Sequence, residues 1–298
     1  MKHFFYAILL LSMYSAGSSK AQDIRLAGVE YFNYPSVRFK DGANNQKVSF
    51  QEFGAFINYP IQLKNKRTIL FNGIQYGMVQ ATMNHHGLSN EKNLTFHKLS
   101  YSFTLIHRFN DKWTFIGRIA PTLASDFDDK LSGHDFNVLG TALLTKRFSQ
   151  KTLGGAGLIY TTRFGKPLLI PSLQYQYRID KHDLNIFLPA FINYSYQLDS
   201  KDRLKIGFRT AINGAHFNTS SDNYSTSVGV DRFNYVRANM GPFVSYRLGR
   251  MVLIEMSGGL STLRRYEFED INNDRHKYTS QNGGFFNIGL NIVPPLKK

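Results

Sequence analysis

The side chains of this sequence that could do chemistry are charged residues set within runs that otherwise alternate between apolar and polar. Strict alternation predicts a β-strand, in which successive side chains point to opposite faces. The position of a charge in its run therefore predicts the face on which it lies. The polar faces carry the following charges, all basic except the last: Arg108, Arg118, Arg147, Arg178, Arg203, Lys205, Arg209, Arg237, Arg247 and Glu255.

Arg118, Arg209, Arg237 and Glu255 lie away from the predicted turns and are the candidate site residues. An arginine facing lipid at mid-membrane depth would cost about 2–4 kcal/mol, so in a membrane barrel these side chains are expected to face the lumen. Two interpretations remain open. Rings of arginine or lysine select anions, so the residues would form a constriction. Alternatively, arginine and glutamate form a structural network that fills a narrow barrel.

The elements that must position these charges are many short strands. Alternation is clearest over 99–109, 168–179 and 184–198, where apolar residues such as Leu188 and Ile192 share one face. Polar turn residues separate the runs, and short connectors tend to alternate with long ones, as in outer-membrane barrels. The further predicted runs are 24–34, 48–59, 68–81, 113–124, 136–148, 153–164, 203–217, 233–248, 251–268 and 285–293.

These runs predict an all-β fold, an antiparallel up-and-down transmembrane β-barrel of about 12 strands, since single-chain bacterial barrels have an even number. Prolines lie inside several runs, where each removes a ladder hydrogen bond, and local bulges are expected there. They are Pro121, Pro171, Pro189 and Pro242. The rival architecture is a soluble periplasmic β-protein.

The N-terminus predicts export. Lys2 precedes an apolar stretch too short to span a membrane as a helix, and Ser19 and Ala21 suit a cleavage site before Gln22. Residues 1–21 are therefore expected to be a signal peptide and 22–298 the outer-membrane β-barrel domain. The chain has no cysteine, so no disulfide and no lipoprotein anchor are expected.

The composition limits the partners. The formal net charge is +15, which in an exported protein suits lipopolysaccharide phosphates, outer-membrane lipid and small anionic solutes better than nucleic acid. Mean hydropathy is −0.30, as expected when each strand has one polar face. The 25 phenylalanines and 17 tyrosines suit the aromatic girdles of a membrane barrel.

Several stretches resemble a known family. The Ala21-Gln22 junction, the strand 168–177 with its Pro171, the Leu188-Pro189 pair and the closing 286–292 alternation look like a family of outer-membrane β-barrel proteins of Gram-negative bacteria, a domain of unknown function. The resemblance spans most of the mature chain. It implies the fold and the location, and it implies no catalytic residues.

Other candidate chemistry is weak. His85-His86 and His134-Asp135 lack a recognised metal-ligand spacing, and the stretch 267–275 lacks the ligand pattern of a calcium loop, so no metal or other cofactor is expected. Ser132-Gly133-His134-Asp135 holds the residue types of a hydrolase, but no nucleophile elbow, metalloprotease motif or phosphate loop occurs. The protein is therefore not expected to be an enzyme.

The sequence thus predicts a passive channel or small-solute transport barrel with a basic, anion-favouring lumen in the outer membrane. A non-conducting structural or interaction barrel is the alternative, and an enzyme acting on lipid at the barrel rim is less favoured.

Overall fold

Antiparallel β-strands make up nearly all of the regular structure. The computed structural model describes residues 25–40, 46–84, 92–200, 203–220 and 230–295. The predicted signal peptide and His85-His86 lie outside these residues. The strands are β1 (Ala27–Arg38), β2 (Lys47–Gln62), β3 (Thr68–Asn84), β4 (Lys92–Arg108), β5 (Trp113–Ser125), β6 (Phe136–Arg147), β7 (Thr152–Thr161), β8 (Leu168–Ile179), β9 (His182–Leu188), β10 (Phe191–Gln197), β11 (Leu204–Asn218), β12 (Val230–Leu248), β13 (Val252–Asp270), β14 (Arg275–Thr279) and β15 (Gly283–Ile292), and one 3₁₀ turn covers Gly133–Asp135.

The strands close into a barrel of fourteen, and the prediction of about twelve is wrong. From β1 to β13 each strand pairs with the next in sequence, and β15 pairs with both β13 and β1, which closes the ring. β14 lies outside the ring and pairs only with the far part of β13. The even strand number is that expected of a bacterial single-chain barrel.

Two short strands were predicted as one because a tight turn joins them. The run 184–198 is two strands, β9 and β10, joined by Pro189 and Ala190, with Phe187 paired to Phe191. Three residues lie between the paired Phe187 and Phe191, and this odd number leaves the odd and even positions in step. Leu188 and Ile192 therefore face outward on either side of the turn, each about two-fifths exposed. The alternation of apolar and polar residues therefore continues through the turn without a break, and it predicts a single strand.

The predicted bulges also fall elsewhere. Pro121, Pro171 and Pro242 sit in registers that do not shift around them, and Pro189 lies in a turn. The register shifts occur beside Pro35 in β1 and at two places between β12 and β13. A proline removes only its own N–H from the ladder. The residues before and after Pro121, Pro171 and Pro242 remain paired, so each strand keeps its register.

The two ends of the barrel differ. Connectors of two to six residues join β2 to β3, β4 to β5, β6 to β7, β8 to β9, β10 to β11 and β12 to β13, and we call this the turn end. At the opposite loop end most connectors are longer, although β9 and β10 are joined by two residues. The outward face carries large exposed apolar side chains on nearly every strand of the ring, among them Ile57, Leu99, Leu173 and Tyr194. Among the described residues no helix is long and apolar enough to cross a membrane.

Two nearly opposite walls meet at the loop end. Asn218 of β11 forms a parallel bridge with Ser125 of β5. The Ser220 amide and hydroxyl donate to the two carboxylate oxygens of Asp126 at 2.8 and 3.0 Å, and the Asn218 amide donates to Asp135 at 3.0 Å. We call these five residues the partition, because they divide the loop end of the lumen into two compartments.

On one side of the partition lies a filled compartment, enclosed by β1–β5 and β11–β13. Its inner side chains form one buried apolar cluster in which Phe50 of β2 stacks 5.3 Å from Tyr266 of β13, and Phe96 of β4 stacks 4.8 Å from Phe233 of β12. These ring contacts cross the barrel from wall to wall. The lumen is therefore closed here by the strands' own side chains.

Candidate functional site

The side chains of Arg118, Arg209, Arg237 and Glu255 occupy inward-facing strand positions, but they do not form one ring. Arg209 and Glu255 lie together nearer the turn end, Arg237 lies in the filled compartment, and Arg118 lies beyond the partition. The predicted constriction of four charges is thus distributed over three places, and each place has its own chemistry.

Arg209 and Glu255 are partners in a wall-spanning network. The Arg209 guanidinium donates to Glu255 Oε1 at 2.7 Å and to Asn193 at 3.1 Å, and its carbon lies 4.7 Å from the Phe243 ring. The second carboxylate oxygen of Glu255 accepts from Arg25 at 3.0 Å. The carboxylate is buried and held by two guanidinium groups, so the network braces the strands from β10 to β13 rather than offering a free charge.

Arg237 is enclosed by aromatic rings. Its guanidinium carbon lies 3.6 Å from the Tyr34 ring, 4.6 Å from Tyr235 and 4.7 Å from Phe50, and it is paired with Glu52. Glu52 also accepts the Tyr235 hydroxyl at 2.7 Å. With 1% of its surface exposed, Arg237 has cation–π and ion-pair contacts in place of water. It is a packing element of the filled compartment.

Arg118 borders open space. On the β6–β10 side of the partition lies a cavity of about 150 Å³, lined by inner residues of β5–β10 and by the connector 162–167. Arg118 has no hydrogen-bond or ion-pair partner among the described residues. Arg163 also lines the cavity, and the lining contains no carboxylate. The lining residues are Arg118, Thr141, Ile159, Thr161, Arg163, Phe164, Ile170, Phe187, Pro189, Ala190 and Phe191.

The connector 162–167 covers the cavity at the loop end. Arg163 donates from its guanidinium to the Ile212 carbonyl at 3.3 Å and from its amide to the Thr161 hydroxyl at 3.2 Å. Gly165 adopts φ +83°, a left-handed conformation that glycine reaches without a steric cost, and so turns the connector against the backbone of Tyr235. The connector thereby seats Arg163 and Phe164 over the cavity that Arg118 enters from β5.

Ser132, His134 and Asp135 are brought together, but as a helix cap. The Ser132 amide and hydroxyl donate to Asp135 Oδ2 at 2.6 and 3.1 Å, and the His134 amide donates to the Ser132 hydroxyl at 3.2 Å. Burial alone would raise the pKa of Asp135, but hydrogen bonds from the Ser132 backbone and from the Ser125, Asn218 and Ser132 side chains lower it below its usual range. The His134 ring lies toward Arg232, 3.4 Å away, so serine, histidine and aspartate do not form a relay.

The other sequence candidates yield no site. The described residues contain no group of three or more metal-binding side chains. Asp270, in the stretch compared with a calcium loop, caps the turn between β13 and β14 by accepting the Asn272 and Asp274 amides. Most of the connector between β11 and β12 lies outside the described residues.

Sequence reasoning missed several inward charges. Glu52 alternates with Phe50 and Gly54 in β2, so the parity that located Arg118 could also have located it. Arg25 and Arg163 lie inside the predicted runs 24–34 and 153–164 but were not counted among the inward charges. In the structure Arg25 precedes β1 and Arg163 follows β7 in a connector. Arg264, fully buried in β13, lies next to a register shift that resets the parity of that strand.

Comparison with known proteins agrees with this architecture. The solved structures that are similar include the COG4313 outer membrane channel from Pseudomonas putida F1, at 10% identity and a TM-score of 0.50 over 94% of this chain and 99% of that one. A FadL homologue of Pseudomonas aeruginosa matches at 9% identity and a TM-score of 0.48, over 90% of this chain and 89% of that one. No curated protein matches the sequence. The family model described as Domain of unknown function (DUF6268) matches residues 18–293, and the chain belongs to that family.

Proposed function

We propose that the protein is a passive solute channel of the outer membrane. The observation that carries this proposal is the cavity beside Arg118, which remains unfilled in a barrel whose other compartment is packed with aromatic rings. The outward apolar face suits a lipid environment, where lipid and lipopolysaccharide would be the surrounding partners. The similar barrel from P. putida is itself called an outer membrane channel.

The cavity favours anions over cations. Arg118 and Arg163 are the charged residues in its lining. The carboxylates of Glu52 and Glu255 are held by their own arginines elsewhere, and Glu30 of β1 lies outside the lining but within electrostatic range of Arg163. Arginines at a narrow point lower the electrostatic energy of an anion and raise that of a cation. The basic character of the cavity therefore rests on Arg118 and Arg163, with Lys98 of β4 within electrostatic range of both, while Arg209 and Arg237 contribute packing.

The test is single-channel conductance of the refolded mature chain in a planar bilayer with a salt gradient across it. We expect a steady conductance whose reversal potential shows anion preference. Arg118→Gln should reduce that preference. Arg147→Gln is the matched control, because it removes the same charge from the exposed turn end of β6, six residues from Thr141 and outside the cavity. Cation preference in the native protein would contradict the proposed path.

A non-conducting structural barrel is the second candidate. The packed filled compartment favours it, since wall-to-wall ring stacking closes that part of the lumen. Electrical silence from protein that is shown to be folded would support this candidate and would contradict the channel.

A further inference from the structure

We propose that the cavity beside Arg118 is a binding site for a small apolar carboxylate, about one aromatic ring in size. Because this names what the channel would carry, it rests on the transport function proposed above. The cavity brings an arginine with no polar partner among the described residues, Arg118, together with unfilled space that apolar side chains border.

The charge at the site calls for an anion. Arg118 has no polar partner among the described residues, and Arg163 uses only one of its guanidinium nitrogens, which donates to the Ile212 carbonyl. Elsewhere in this barrel the inward arginines Arg209 and Arg237 each have a carboxylate. A planar guanidinium presents paired N–H donors that match the two oxygens of a carboxylate. The ligand supplies the carboxylate that the lining lacks.

The walls call for an apolar body. Ile159, Ile170, Phe164, Phe187 and Phe191 provide aliphatic and aromatic surface around the cavity. A hydrated inorganic anion would leave this surface in contact with water, and a neutral hydrocarbon would leave the arginines without a partner. A molecule with a carboxylate at one end and an apolar group at the other satisfies both parts of the lining.

The volume limits the size of that body. The cavity measures about 150 Å³. A cavity of roughly 150 Å³ lined by Leu, Ile and Phe is known to hold one benzene molecule. The apolar part is therefore about one ring, and benzoate is the simplest probe. The hydroxyls of Thr141 and Thr161 lie in the same lining and can donate to a carboxylate oxygen that the guanidinium groups leave free.

The experiment is isothermal titration of the refolded chain in lipid nanodiscs with benzoate, benzyl alcohol and acetate. Benzyl alcohol keeps the ring and loses the charge, and acetate keeps the charge and loses the ring. We expect benzoate to bind at least about tenfold more tightly than either analogue. Arg118→Gln should weaken benzoate by about 10- to 100-fold, since it removes a charge-assisted contact, and should leave benzyl alcohol unchanged. Arg147→Gln should leave benzoate unchanged.

Three results would overturn the proposal. Equal binding of benzyl alcohol and benzoate would mean that the arginines do not select the ligand. Equal binding of acetate and benzoate would mean that the apolar walls do not. Absence of benzoate binding by folded protein would mean that the cavity is no site. Binding and conductance are measured separately, so a conducting barrel that ignores benzoate refutes the site alone, and a silent barrel refutes the channel.

Discussion

The filled compartment and the cavity lie side by side at the loop end of one barrel, and each contains an inward arginine. In the filled compartment Arg237 is enclosed by three aromatic rings and paired with Glu52. Across the partition Arg118 extends into open space and has no partner among the described residues. The same residue type at equivalent positions of the alternation thus completes the packing on one side and leaves a charge available on the other.

Strand length explains the difference. The walls of the filled compartment include β12 and β13, with 19 residues each, whereas β9 and β10 beside the cavity have 7 residues each. At about 3.3 Å per residue, the longer strands reach well beyond the shorter ones. The inward side chains of the longer strands meet side chains of the opposite wall. The shorter strands β9 and β10 end too early to place side chains at that height. An inward arginine therefore stays without a partner on the side of the barrel where the strands are short.

The largest expected effect comes from removing a ring from the filled compartment. Phe233→Ala should lower the free energy of unfolding by about 3–5 kcal/mol, because the fully buried ring leaves a cavity behind. The matched variant Phe187→Ala should cost about 1–2 kcal/mol, since Phe187 already borders open space. Urea unfolding in lipid vesicles, followed by fluorescence of the single tryptophan Trp113, measures both. Equal costs would show that the two compartments are packed alike.

A smaller effect is expected from breaking the pair inside the filled compartment. Glu52→Gln should cost about 2–4 kcal/mol, because Arg237 keeps its charge and loses its carboxylate, while Glu52 itself retains some access to water. Adding Arg237→Met to that variant should restore most of the stability, since the double variant leaves no unpaired charge. The same unfolding assay applies. A double variant as unstable as the single one would show that the rings around Arg237 need its charge.

The smallest effect is expected at the partition. Asp135→Asn should cost about 1–2 kcal/mol at pH 7, because it weakens the hydrogen bonds from Ser132 and Asn218. Folding lowers the pKa of Asp135 from its ordinary 3.8, so the carboxylate stabilises the fold above that pH. This contribution is lost as the pH falls through the lower folded-state pKa. The stability gap between the native protein and the variant should therefore close in acid, and a gap independent of pH would contradict the assignment.

Alternation along the sequence located most of the strands and the inward faces of the charges, because both depend only on neighbouring residues. It missed the boundary between β9 and β10, since the three residues between the paired Phe187 and Phe191 keep Leu188 and Ile192 on the same face. It also could not give the partner of each charge. Glu255 lies 46 residues from Arg209, and which strands face each other depends on the strand order and stagger of the closed ring.

The candidate site depends on features that a linear pattern does not contain. Arg118 was found because its strand alternates cleanly. Arg163 lies in a connector, and its place over the cavity follows from the fold of 162–167 against β11. The cavity is unfilled because β9 and β10 are short. Their length could not be predicted while the run 184–198 was interpreted as one strand.

The partition also sets an order of assembly. Adjacent hairpins join residues close in sequence, whereas Ser220 and Asp126 are 94 residues apart, and the closing contact between Asn287 and Tyr31 spans 256. Contacts between such distant residues form late, because the entropy of closing the intervening chain must be overcome first. Until then the rings of Phe50, Phe96 and Phe233 have no opposite wall and remain open to solvent or to other chains. The folding chain is therefore most prone to aggregate just before its last strand is added.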